Sequence, residues 1–256
     1  MNTAGTEWFR FNEKEDCLPF RVLNLDEVVE YLHVTRSDVE RLVHHNEIPF
    51  EMQGERLIFR QNEIDAWASH RILGFSEEHL RNYHKKSSAK VHDLSKKHAI
   101  VPELFKPELI APAMTSRTKA SVLRDMVKLA ESSGLVNYPQ ELVRSIEERE
   151  RMCSTALAGG MAILHPRNHE PYMFGDSFVA LGKSIQPVPF GSPDGATTDV
   201  LFLVCCQDDR IHLHVLARVC MMCQQTSLLL ELREAQDAAQ MYDLLVKSEE
   251  EVILQL

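Results

Sequence analysis

The chain has 256 residues, 44% of them hydrophobic and 26% charged, with a formal net charge of −10. That length suits one small and one medium domain, and the acidic balance argues against broad nucleic-acid affinity, which needs Lys and Arg to displace counterions. No run approaches the roughly 20 apolar residues that cross a bilayer and no basic-then-apolar leader opens the chain, so a soluble, cytoplasmic protein without membrane insertion is expected.

Residues 1–20 form a polar tail whose Trp8, Phe9 and Phe11 could cover a neighbour. From Arg21 the pattern sharpens. Leu25, Val28, Val29 and Leu32 recur at helical spacing behind Asn24, a suitable cap. Thr35 caps a second helix with Val39, Leu42 and Val43 inward, closed by Ile48-Pro49. Phe50-Glu51-Met52 and Leu57-Ile58-Phe59 flank Gln53-Gly54-Glu55-Arg56 as a β-hairpin. Ile64, Trp67 and Ala68 then give a short packing helix.

This order over residues 21–73 resembles the excisionase-like branch of winged helix-turn-helix DNA-binding domains. The resemblance rests on Leu25-Asp26-Glu27-Val28, Tyr31-Leu32-His33-Val34-Thr35-Arg36, Glu47-Ile48-Pro49, Arg56-Leu57-Ile58-Phe59-Arg60 and Ile64-Asp65-Ala66-Trp67. It implies a second helix in the major groove, with Arg36, Arg41 and His44 as candidate contacts and Arg56 at the wing tip. Against this, residues 21–72 hold six basic side chains and ten acidic ones, a balance that repels phosphate. DNA binding and a protein-interaction or homodimer role both stay open.

Residues 74–98 form a basic connector with Arg81, Lys85, Lys86, Lys90, Lys96 and Lys97. It reads as a solvated hinge, or as the source of phosphate contacts that the acidic module lacks. Its four histidines lack the nearby cysteines or paired carboxylates of a metal site.

From residue 99 to 254 helical and extended patterns alternate, as in an α/β domain: a mixed β-sheet flanked by helices. Ser116 or Thr118 caps a helix with Leu123, Met126 and Val127 on one face. Asn137-Tyr138-Pro139 opens another, with Leu142, Val143 and Ile146 buried and Arg149 at its end. Ser177–Ser184 and Val188–Phe190 read as short strands. Asp199–Cys206 is an apolar run of the kind buried on both faces. Helices follow at Ile211–Arg218 and Ala238–Leu245. The six cysteines are expected as free thiols. Cys220-Met-Met-Cys223 lies in an apolar helical pattern and reads as core, so no metal is entered.

Between the helix ending at Arg149 and the next strand lies Arg149-Glu150-Arg151-Met152-Cys153-Ser154-Thr155-Ala156-Leu157-Ala158-Gly159-Gly160-Met161-Ala162-Ile163-Leu164-His165. The glycine pair can take backbone conformations denied to other residues and let the chain pass close to a ligand. Ser154 and Thr155 could serve an anion. The segment resembles the phosphorylation-site region of type-2 enzyme IIA domains of the bacterial phosphotransferase system, the fructose/mannitol and nitrogen-regulatory branch. Arg149-Glu150, Ser154-Thr155, Gly160, Met161-Ala162-Ile163 and His165 stand in step with that pattern, while Ala158 replaces a glycine and Leu164 a proline. The likeness continues through Lys106-Pro107-Glu108-Leu109-Ile110, Ser192-Pro193-Asp194-Gly195 and Asp199-Val200-Leu201-Phe202-Leu203.

The resemblance implies that His165 accepts phosphate, at Nε2, from a histidine phosphocarrier protein. Phosphate would pass to a IIB domain or mark a regulated target, and the fused module favours regulation. Arg149 offers a rigid fork of donors to the phosphoryl oxygens. The second histidine carries over to His212. His214, two residues on, points about 200° around the helix, so both cannot face one site. Ser154, Thr155 and Gly160 would support the site. No metal or cofactor is required. The reading needs His165 reachable from solvent, with Arg149 and His212 close enough to share one small anion.

Overall fold

The computed structural model describes residues 21–32, 34–74, 80–81, 99–168, 170–207 and 209–255. The tail aromatics and the lysines and histidines of the connector lie outside them. Near the N-terminus, β1 (Val22–Leu23), α1 (Leu25–Tyr31), α2 (Arg36–His44), β2 (Glu51–Gln53), β3 (Arg56–Arg60) and α3 (Gln61–Leu73) follow in order. Both helix starts are fixed locally. Asn24 caps α1 in a reciprocal box with Glu27, and Thr35 caps α2 in one with Asp38, each satisfying amides that the first turn leaves open. The antiparallel sheet runs β1-β3-β2.

The larger part comprises α4 (Val101–Leu104), β4 (Ile110–Met114), α5 (Lys119–Ser132), α6 (Pro139–Met152), β5 (Ala156–Leu157), β6 (Met161–Leu164), β7 (Phe178–Val188), β8 (Thr198–Cys205), α7 (Asp209–Gln225), α8 (Leu228–Glu234) and α9 (Ala238–Leu254). Thr118, not Ser116, caps α5. Its sheet has the order β4-β7-β8-β6-β5. β4 and β7 are parallel, as are β6 and β8, while β7–β8 and β5–β6 are antiparallel. The expected strands at 177–184 and 188–190 are one strand, interrupted in register between Lys183 and Val188; Pro187, which has no amide to donate, falls in that gap.

Strand alternation divides the core. Val200, Phe202 and Val204 face one side with Met161 and Ile163, and Leu201, Leu203 and Cys205 face the other with Ala162 and Leu164. The second side packs under α5 and α6 through Leu123, Met126, Leu142 and Ile146. The first packs under α7, buried without a break from His212 to Cys223. Cys220 and Cys223 lie inside this helix as buried thiols, and burial pushes the Cys220 thiol up to about 12.

The same core runs on into the N-terminal module: Val28, Val39, Phe59 and Ile64 belong to one apolar cluster with Leu213, Leu216 and Val219, and α3 lies directly against α7. Arg218 of α7 forms a fully buried ion pair with Glu249 of α9, at 2.8 Å. The Glu249 carboxylate also accepts the amides of Ile100, at 2.7 Å, and Val101, at 2.8 Å. Burial pushes its pKa up, against those amides and Arg218.

Removing one partner strands the other charge. Glu249→Ala should therefore lower the unfolding free energy by about 3–5 kcal/mol in urea titration. Glu249→Gln, which keeps one acceptor for the amides, should cost less.

Candidate functional site

β6 ends at Leu164 and delivers His165 onto the side that faces α7. There the His165 and His212 rings stand 5.1 Å apart between centroids, inclined by 51°. From the other side the last turn of α6 brings Arg149, whose Nε donates to His165 Nε2 at 3.0 Å. His165 Nδ1 lies 2.9 Å from the Ile163 carbonyl. A carbonyl can only accept, so Nδ1 carries the proton, and Nε2 keeps the lone pair that Arg149 covers. The geometry thus fixes the tautomer, with Nε2 as the acceptor nitrogen.

Arg149 is held by its Nη1, which donates to the Cys153 carbonyl at 3.0 Å, while its buried Nη2 has no hydrogen-bond partner. Burial draws its pKa down, opposed first by Glu150, but a guanidinium keeps its proton at any ordinary pH. A buried cation with an unused N–H next to a nucleophilic imidazole is chemically a receptor for a small anion, since an unsatisfied buried donor is costly.

The expectation of an open ring meets a different picture. His165 is 2% exposed, His212 1% and Arg149 3%. The three groups are brought together, but as a closed cluster in which Arg149 Nε occupies the lone pair of His165 Nε2. His214 is also buried, at 2%, and lies on the other side of α7, so the choice between the two histidines falls to His212.

The supporting residues divide. Ser154 and Thr155 lie beside the site, because β5 pairs with β6 and the Thr155 carbonyl accepts the Ile163 amide. Both hydroxyls are engaged within the protein, however. Ser154 Oγ donates to the Phe190 carbonyl at 2.8 Å, and Thr155 Oγ1 donates to Glu150 at 2.6 Å. Gly160 stands at the opposite end of β6. With Gly159 it makes the turn of the β5–β6 hairpin, at φ of 81° and 88°, and a Cβ there would meet Arg233 Nη2 at 2.7 Å. The close approach inferred for the glycine pair is real, but the neighbour is Arg233, which bridges Asp199 and the Gly159 carbonyl. Ala158 in the same turn is not among the positive-φ residues, so it replaces a glycine there without strain. Leu164 is fully buried and paired with Leu203; it continues the strand where a proline could not donate.

Two residues escaped the sequence reading. Glu150, buried beside Arg149, accepts the Thr155 amide and hydroxyl and is paired with Lys119 Nζ at 2.6 Å. Lys119 also donates to the Phe190 carbonyl and lies over its ring. The adjacency of Arg149 and Glu150 was visible; the lysine, arriving from α5, gave no local signal.

In the N-terminal module Arg36 is paired with Asp26 at 2.5 Å and Glu40 at 3.0 Å, and Arg41 with Asp38 at 3.4 Å. His44 stacks edge-on against His45. Arg56 is exposed at the start of β3. The hydrogen bond that Arg36 donates to Glu40 leads the effects that raise the Arg36 pKa, with Asp26 next. Two of the four residues expected to contact DNA therefore already have acidic partners from their own module.

Residues 103–248 match the family described as phosphoenolpyruvate-dependent sugar phosphotransferase system, EIIA 2, and residues 22–72 match a helix-turn-helix domain. The nitrogen regulatory protein of Escherichia coli (strain K12) is 31% identical over 116 residues, 43% of this chain and 68% of that protein. The PTS system fructose-specific EIIABC component of Bacillus subtilis (strain 168) is 24% identical over 147 residues, 57% of this chain but only 23% of that protein, so the chain spans under a quarter of that relative. Among solved structures, nitrogen regulatory protein IIA-Ntr from Neisseria meningitidis superposes with a TM-score of 0.51 at 23% identity, over 57% of this chain and 99% of that one. A PTS IIA domain structure from Streptococcus pyogenes M1 GAS gives 0.51 at 20% identity, over 59% and 97%. These two likenesses show the shared fold.

Two substitutions test the geometry. Arg149→Ala uncovers Nε2, so acylation of His165 by diethyl pyrocarbonate should accelerate by on the order of tenfold, the worth of one charge-assisted hydrogen bond. Gly160→Ala should destabilise the chain by about 1–3 kcal/mol through backbone strain and leave that acylation rate unchanged.

Proposed function

We propose that this chain, which belongs to the phosphoenolpyruvate-dependent sugar phosphotransferase system EIIA 2 family, accepts a phosphoryl group on Nε2 of His165 from a histidine phosphocarrier protein. The observation that carries this is the convergence of Arg149, His165 and His212, with Nδ1 tied to Ile163 and the lone pair placed on Nε2. In the transfer one P–N bond breaks on the donor imidazole as another forms at Nε2. Such transition states are loose, and the protein chiefly positions the group and stabilises its equatorial oxygens. Arg149 must first leave Nε2. Displaced by a short pivot, it offers to those oxygens both the Nε–H it withdraws from His165 and the Nη2 that lacks a partner. His212 is placed to donate from the far side.

Regulation is the more fitting use of the phosphate. The N-terminal match to a helix-turn-helix domain and the likeness to nitrogen regulatory proteins support it. A IIB domain or a regulated protein would receive or read the mark.

A second reading is a regulator that binds a partner through the IIA fold without taking phosphate; the closed state of His165 favours it. Incubation with phosphoenolpyruvate, enzyme I and the phosphocarrier separates the two. Acid-labile phosphate should appear at about one per chain, vanish in His165→Ala, and form at least roughly a hundredfold more slowly in Arg149→Ala, as for loss of a transition-state donor. No incorporation into the wild-type chain would leave the binding-only regulator.

For the N-terminal module we take DNA as the partner class, weakened by internal ion pairing. The double substitution Asp38→Asn with Glu40→Gln removes the partner of Arg41 and one partner of Arg36. It should raise retention on DNA at low salt and steepen its loss with added salt. Unchanged retention would favour a protein-docking or homodimer role for the module.

A further inference from the structure

The helix that carries His212 is also the helix on which the N-terminal module rests. α7 is buried from residue 212 to residue 223, which a helix achieves only when it is covered on all sides. The sheet covers one side through Ile163, Val200, Phe202 and Val204, while α3 and α9 cover others. α3 is buried on more than one face as well, through the apolar Ile64, Ala68, Ile72 and Leu73 and the polar Ser69. One of its faces serves its own module, and the other serves α7. Among the described residues one buried apolar cluster runs from Val28 and Phe59 to Leu213 and Phe202.

From this continuity we infer that α7 is a strut shared by the histidine site and the helix-turn-helix module, through which the state of His165 is read at α3. The part concerning phosphate rests on the phosphoryl-accepting role of His165. A phosphoryl group brings about two negative charges into a cluster whose rings are already 5.1 Å apart and nearly sealed. It cannot be accommodated without moving Arg149 and His212. Close-packed interiors transmit such displacements instead of absorbing them, and a helix packed on both faces passes them to its second layer. The module is thereby biased by a site it does not touch, which is the condition for linkage between two sites.

Trp67 on α3 is a built-in reporter, because its Nε1 donates to the Glu47 carbonyl at 2.6 Å within the module. The only other tryptophan is Trp8, so Trp8→Phe in the full chain makes the emission report on the module alone. Urea unfolding is followed by Trp67 emission and by far-ultraviolet circular dichroism, with and without phosphorylation, and acid-labile phosphate is counted in the same sample. The expected result is coincident midpoints by both probes, moving together on phosphorylation. Phosphate incorporated with the Trp67 midpoint unmoved overturns the inference.

If no phosphate is incorporated, the reading of His165 fails, and the strut is decided separately by Leu123→Ala, on the far side of the sheet. That change should reduce the folding equilibrium constant roughly thirtyfold or more as seen by Trp67 and by circular dichroism alike. A Trp67 transition that stays in place while the other falls overturns the strut. Val122→Ala, the smaller deletion in the same helix, serves if Leu123→Ala does not fold.

Discussion

An N–H of a buried guanidinium pointed at the bare nitrogen of a buried imidazole is the contact on which the rest of this protein's chemistry depends. It needs three things at once. The Ile163 carbonyl must hold the proton on Nδ1, the Cys153 carbonyl must hold the guanidinium at the end of α6, and His212 must close the far side. Each comes from a different element, so the site exists only when the sheet, α6 and α7 are all in place. The same contact also sets the resting state. On the proposed function, Arg149 shields His165 in this state, and its displacement becomes the step that admits a phosphoryl group.

Polar groups around this contact are organised to hold the chain instead of the anion. Glu150 is neutralised by Lys119 and bonded to Thr155, and Ser154 and Lys119 both reach the Phe190 carbonyl. These bonds fasten the loop between α6 and β5 to the segment that follows β7. A free carboxylate beside the Arg149 cation would disfavour any anion brought to it. Tied to Lys119, it stiffens the backbone that carries Arg149.

Much of this was legible in the residues, and what was not has a physical reason. The caps at Asn24 and Thr35 could be read because a capping box is a contact between neighbours three positions apart. The apolar run at 199–206 announced a strand covered on both faces. The grouping of His165 with Arg149 and His212 came from the family resemblance, and the structure brings the three side chains together. The β5–β6 hairpin was missed because two-residue strands leave no periodicity. Without the hairpin, the close approach expected at Gly160 read as one to a ligand, where the structure has Arg233. The closure of the site and the docking of α3 on α7 depend on contacts between distant segments, which a single chain of letters does not display.

Glu249 ties together residues 149 positions apart, gripping the amides at the entrance to the larger domain from the second-to-last turn of its final helix. The caps and hairpin of the helix-turn-helix are local contacts, whereas its α3 also packs on α7. The second apolar face of α3 must then wait, bare, for α7 to be made, and the entrance amides must wait longer still. Until then α3 keeps part of its apolar surface uncovered, and contacts between segments so far apart in the chain are the slow ones to form.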